Sequence, residues 1–222
     1  MWTLQTLQDS LSNEVDQSVT ATAGVDWNIR LNLLNRAQKD WSETYDWSSL
    51  LKVYNGNVTA DSFVTLSLPA DFKKIDGYPL ITWDGKTTDQ FPVIDYSKRS
   101  QYQDSDRFTS VLGNDADNKV LVIHSNSLSS GASVQFTYYS EPISLASAGS
   151  VTQCTDGTYL IQRALYYLYK GREDGRFPEA KTEADRILSR MIENENSYGQ
   201  SHQDNRIQRW EDKNFSFRIG RD

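Results

Sequence analysis

The stretch LLKVYNGNVTADSFVTLSLP, residues 50–69, decides the fold. Upstream of it apolar residues recur every three or four positions, and from Leu50 the period changes to two. Asn55-Gly56 supplies the left-handed residues a tight turn requires, so the stretch predicts a β-hairpin. YPLITWDGKTTDQFPVI, residues 78–94, repeats the device with Asp84-Gly85. Two further runs, KVLVIHS (119–125) and ASVQFTYYS (132–140), alternate or are continuously apolar, with Ser129, Ser130 and Gly131 between them. Six or so short strands indicate an antiparallel sheet, sandwich or small barrel. SKRSQYQDSDRF (97–108) is polar and predicts a short helix or loop.

Outward from this β-rich middle the helical period rules. Leu4, Leu7, Leu11 and Val15 form a short amphipathic stripe, ended by the Ser/Thr-rich run from Ser18 to Gly24. A second helix begins near Asp26, a good N-cap, with Ile29, Leu33, Ala37 and Trp41 on one side and Leu34 alongside. After SLASAGS, Ile161, Ala164, Leu165 and Leu168 form one stripe closed by Gly171. Phe177, Ala180, Ala184, Ile187, Leu188 and Met191 form the next, with Pro178 suited to a first turn. The two are joined by REDGR and read as an antiparallel helical hairpin.

The last segment is polar and has no sustained helical stripe, yet it keeps Tyr198, Ile207, Trp210, Phe215, Phe217 and Ile219. Apolar anchors without a fold of their own point to an extended arm that orders on a partner, the alternative being a tail that folds back on its own domain. The expected class is therefore α+β: a small bundle of two N-terminal and two C-terminal helices, an inserted antiparallel β-domain, and an extended C-terminal arm. The expected boundaries are 1–48 for the first helices, 49–148 for the β-rich domain, 149–195 for the helical hairpin and 196–222 for the arm.

Composition narrows the function. Of the 222 residues 37% are apolar, below the usual ~45–50%, while 6 Trp, 12 Tyr and 8 Phe supply aromatic anchors. The net charge of −7 argues against a protein that grips nucleic acid, because that grip comes from Lys and Arg neutralising phosphates. Residues 1–150 hold 18 acidic against 11 basic side chains, and residues 151–222 hold 12 of each, so the acidity lies in the first two thirds. No run of 18 apolar residues crosses a membrane, and MWTLQTLQDS lacks the basic start and apolar run of a signal peptide. A soluble protein is expected.

Motifs for chemistry are sparse. Cys154 stands alone and reads as a small unreactive residue; His124 shares a strand face with Val120 and Val122 and reads as structural. His202 has no cysteine or histidine neighbour, so zinc ligands are in short supply. Asp104 with Asp106 and Asp115 with Asp117 space carboxylates as calcium loops do, but without the remaining ligands, and read as solvated turns. No glycines frame a serine nucleophile and no phosphate loop is present. Catalytic, cofactor and metal sites are accordingly expected to be none. Trp41, Tyr45 and Trp47 read as core where the helix ends and the strands begin.

The order of elements is the informative feature. Asn35, Trp41 and Trp47 mark an Asn-bearing helix ending in tryptophan, and Leu68 to Phe72 (LPADF) a strand exit. Tyr138 to Pro142 follow as a Tyr-Tyr strand ending near proline, and Asp156 to Ile192 as a closing helix pair. In this order, over about residues 26–195, the sequence resembles the head-to-tail adaptor proteins of tailed bacteriophages; Tyr78 to Asn118 carries no family feature. The resemblance implies a structural, non-enzymatic protein of the virion neck, made in the bacterial host cytoplasm and free of membranes. It implies a ring, commonly of twelve copies, that docks on the portal protein, extends the DNA channel and offers a surface to a tail or nozzle protein. Docking falls to the arm: Tyr198, Ile207, Trp210, Phe215 and Phe217 as anchors, Arg206, Arg209, Arg218 and Arg221 as charge partners. DNA would pass without specific binding, along an acidic inner wall drawn from residues before 150. The competing reading is a β-domain that recognises a glycan of a phage tail or host surface, with Trp83 beside the Asp84-Gly85 turn.

Overall fold

A computed structural model describes residues 1–15, 25–58, 63–83, 87–102, 107–113, 119–124 and 132–215, with side chains of the last span described through residue 197. The chain divides into two compact units, Met1–Ser48 with Ser144–Asp222, and Ser49–Ile143.

Among the described residues the first unit is built from four helices: α1 (Leu4–Val15), α2 (Val25–Thr44), α3 (Gly157–Gly171) and α4 (Phe177–Phe215). In α1 the stripe Leu4, Leu7 and Leu11 is fully buried, as its spacing predicts. The N-terminus is tied down by a bridge between Thr3 and Val151 and by the Leu4 N–H donating to the Ser150 carbonyl at 2.7 Å. In α2 the buried line is Trp27, Leu34, Ala37 and Trp41, while Ile29 is 46% exposed. The expected stripe is thus rotated: Trp27 takes the place assigned to Ile29, because one turn of apolar residues on both sides of a helix leaves the periodicity ambiguous and only the neighbours choose. Helices α3 and α4 form the expected hairpin, packing Ile161, Ala164 and Leu165 of one with Ala180, Ala184, Ile187 and Met191 of the other in the core.

Helix α4 does not stop where its apolar stripe ends. The extended arm expected from residue 196 is instead helical backbone through Phe215. The physical reason is cooperativity: once 177–196 is nucleated by packing, each further residue adds one hydrogen bond, and the tail contains no proline to interrupt the ladder.

Among the described residues the second unit holds seven strands, β1 (Leu51–Asn57), β2 (Phe63–Ser67), β3 (Phe72–Trp83), β4 (Thr87–Gln90), β5 (Phe108–Leu112), β6 (Val120–His124) and β7 (Ser133–Ser140), and two short 3-10 helices, Ser48–Leu50 at its entry and Tyr96–Gln101. They form a four-stranded antiparallel sheet, β1-β7-β3-β4, and a three-stranded one, β2-β6-β5. The side chains of Ile81, Val134 and Phe136 from the first sheet and Leu121 and Ile123 from the second close one apolar core.

The hairpin expected at Asn55-Gly56 is overturned. Strand β1 runs through both residues and pairs along its whole length with β7, from Leu51 opposite Tyr139 to Asn57 opposite Ser133, whereas β2 pairs with β6 in the other sheet. Gly56 has a different role: a Cβ there would lie 2.7 Å from the Tyr54 ring, so the glycine leaves room for that ring to stack on Phe136 with centroids 4.8 Å apart. The second hairpin is observed, with Trp83 opposite Thr87, its turn at Asp84-Gly85 lying outside the described residues. Strand β5, which shows no alternation strong enough to be read, pairs with β6. Strand β3 carries a register shift between Asp76 and Leu80, where Gly77 takes φ +76° and Pro79 fits because a bulge needs no ladder donor.

Candidate functional site

The C-terminal helix is the element to which docking was assigned, and its root is firmly held. The Ser48 N–H donates to Glu195 Oε1 at 2.7 Å and the Tyr45 hydroxyl to Asn196 Oδ1 at 2.5 Å. One turn earlier Arg190 pairs with Asp156 at 2.9 Å, the same carboxylate that caps α3 through the Thr158 N–H. These contacts fix the direction in which α4 leaves the bundle. Tyr198, Arg206, Ile207, Arg209, Trp210 and Phe215 lie on the helix backbone beyond that point. Their side chains, and Phe217, Arg218 and Arg221 altogether, lie outside the described residues.

The positions that carry the family resemblance prove to be joints. The Asn35 amide clamps the backbone of Leu145 at two points, donating to its carbonyl at 3.0 Å and accepting its N–H at 2.8 Å. Trp47 stacks on Trp41 at 5.2 Å between centroids and its indole N–H donates to the Trp41 carbonyl at 2.7 Å. That carbonyl is one of the last four of α2, which have no partner within the helix. In the LPADF exit, Asp71 accepts from Lys52 at 2.5 Å and from the Tyr138 hydroxyl at 3.2 Å, and Phe72 stacks on Tyr138. Burial, reinforced by the Asp71 charge, raises the Tyr138 pKa, so the hydroxyl stays a donor.

A charged network joins α2, α3 and α4, and sequence reasoning missed it. Arg163 pairs with Asp40 at 2.9 Å and approaches Asp185 at 3.9 Å; Tyr167 also donates to Asp40, and the Arg36 guanidinium lies 4.0 Å from the Tyr167 ring centroid. Burial and the Asp40 bond push the Tyr167 pKa up. The i, i+4 pair Arg163–Tyr167 on a predicted helix was the available signal, but its partner lies 123 residues away.

On the outer face of the four-stranded sheet, Asn55, Asn57, Thr82, Thr88, Ser133 and Gln135 line a shallow cleft of about 320 Å³. Its rim is amide and hydroxyl without a charge. Trp83, offered for glycan recognition, has its side chain outside the described residues, as have the aspartate pairs 104/106 and 115/117 and His202 theirs. His124 stacks on Phe108 at 4.1 Å, and burial, with the Arg99 charge, lowers its pKa. The Cys154 thiol is buried against the Asp156 carbonyl, and desolvation pushes its pKa up to about 12. Among the described residues no group of three His, Cys, Asp or Glu side chains converges to hold a metal, and no helix is long and apolar enough to cross a membrane.

A chain whose marked positions serve as joints, and whose longest helix is held at its root, is organised as a structural protein. The family model for SU10 adaptor protein matches residues 2–209. The chain belongs to that family and is a phage adaptor protein. Comparison with curated proteins gave no match.

Proposed function

We propose that this adaptor assembles as a ring, dodecameric by family resemblance, on the portal of a tailed phage, sits in the virion neck and presents a surface to a tail or nozzle protein. The observation that carries the reading is the length and rooting of α4. It runs 39 residues, and the part from Asn196 to Phe215 reaches roughly 30 Å past its last described contact at 1.5 Å per residue. A helix committed only to its own bundle has no use for that reach.

Portal docking is assigned to this helical part, with Tyr198, Ile207 and Trp210 as apolar anchors and Arg206 and Arg209 as charge partners. Aromatic and arginine side chains dominate interfaces because they combine large buried area with directional bonds. Phe215, Phe217, Arg218 and Arg221 fall at or after the helix end and belong to the same C-terminal docking segment. The ring extends the DNA channel, and its inner wall is lined by carboxylates from residues before 150, so the duplex slides without accumulating phosphate contacts.

The test is to mix the purified chain with the portal of its own phage and measure mass, beside a chain ending at Asn196. The full chain is expected to give a ring on the portal and the shortened chain none. Equal binding by both would overturn the docking assignment. The uncharged cleft around Asn55, Asn57 and Gln135 favours glycan recognition as the second reading; failure to bind portal together with retained glycan affinity would select it.

A further inference from the structure

Among the described residues strand β1 is an unguarded edge. It ends the sheet order β1-β7-β3-β4, and β7 is its partner strand over seven residues without a register shift. The Val58 N–H donates to the Ala132 carbonyl at 2.7 Å, which identifies residues 58 and 132 as a hydrogen-bonded pair. Alternation along an antiparallel ladder then assigns Lys52, Tyr54 and Gly56 to β7 and turns the N–H and C=O of Leu51, Val53 and Asn55 to the open side. Sheet proteins blunt such edges with proline, bulges, short strands or lysine. β1 has no proline and no bulge, and its single charged residue, Lys52, is held by Asp71 at 2.5 Å. On the outer face of the same strand Leu51 is 39% and Val53 57% exposed.

The chain carries a segment that fits this edge. After α4 the seven residues 216–222 read SFRIGRD, and Phe217 and Ile219 alternate with Ser216, Arg218 and Gly220; Phe215 extends the alternation backward. Period two with aromatic and β-branched residues is the pattern of a strand. Apolar positions at every second residue would meet Leu51 and Val53, also at every second residue, as cross-strand pairs. Helix α4 delivers this segment roughly 30 Å beyond its last described contact at Asn196, away from the bundle that anchors it.

We infer that residues 216–222 of one copy add as a strand to the β1 edge of a second copy, a head-to-tail contact that repeats from subunit to subunit. The inference concerns copies that have not met the portal, where Phe217, Arg218 and Arg221 have no portal surface to dock on, and its test accordingly contains no portal.

Two full-length variants, Val53→Cys and Phe217→Cys, are mixed and oxidised, and non-reducing electrophoresis reads the disulfide; buried Cys154 serves as the silent background. A dimer that requires both variants is expected. Adding Asn55→Pro to the Val53→Cys chain removes an open-edge N–H that β1 does not use in its own sheet, and is expected to cut the dimer roughly tenfold. Unchanged thermal melting shows that the sheet survives; if melting falls, Asn55→Lys, which guards the edge by charge, is expected to reduce the dimer instead. A disulfide confined to single chains of the Val53→Cys/Phe217→Cys double variant would put the segment on its own sheet. That result, no disulfide at all, or a dimer undiminished by an edge variant that still folds, overturns the inference.

Discussion

Replacing each of the two stacked tryptophans by phenylalanine separates burial from hydrogen bonding in the helical unit. Trp41 and Trp47 are both almost fully buried and stack on each other, so each substitution removes a similar volume and leaves a similar cavity. They differ in their indole N–H. That of Trp47 donates to the Trp41 carbonyl, an end-of-helix acceptor, while that of Trp41 is buried with no partner among the described residues. Trp47→Phe therefore strands a buried carbonyl, at about 1–3 kcal/mol, whereas Trp41→Phe removes a donor that is already unsatisfied. With the cavity contributions cancelling to first order, Trp47→Phe is expected to be the more destabilising by about 2 kcal/mol. This corresponds to roughly 4–8 °C in melting temperature for a chain of this size. Urea unfolding followed by helical circular dichroism on both variants reads the difference. Trp41→Phe equal to or worse than Trp47→Phe would refute the assignment of the Trp47 indole as the cap of α2.

Two titrations give further expectations. Asp174 in the α3–α4 turn is held at about 2 by bonds from the Arg176 side chain and N–H, against an ordinary 3.8. A depressed carboxylate stabilises the turn above its unfolded value and loses that contribution as pH falls from near 3.8 toward 2. Carboxyl NMR is expected to show a midpoint near 2 that rises in Arg176→Ala; an unmoved midpoint would refute the pairing. Cys154, with its thiol raised to about 12 and its side chain buried, is expected to resist a thiol reagent at neutral pH until the chain is denatured. Rapid modification of the folded chain would contradict the structure.

Much of this protein was legible in order of residues alone. The spacing of Leu4, Leu7 and Leu11, of Ile161 to Leu165 and of Ala180 to Met191 determined three helix faces, because a helix that packs on one side must repeat its apolar residues every three or four positions. Asp84-Gly85 between alternating runs pointed to the pairing of β3 with β4, since a partnership of two strands adjacent in sequence is a local event. The positions behind the adaptor resemblance could be marked, and the family match covers them.

What the sequence could not decide was partnership. Asn55-Gly56 carries a turn's chemistry, yet β1 finds β7, about 80 residues downstream along the chain, because burial of Tyr54 against Phe136 outweighs a local turn preference. Ile29 and Trp27 are both apolar, and only the packed bundle shows that Trp27 faces inward. The Asp40–Arg163–Asp185 network joins three helices through charges that periodicity treats as solvated. The helical course of residues 196–215 was hidden for the converse reason: it has no apolar stripe, and its helicity is inherited from the packed helix before it. Alternation and heptad-like spacing report which face of an element is apolar, a one-dimensional property. Which element meets that face, and how far a helix continues past its last contact, are settled by three-dimensional packing and cooperative hydrogen bonding.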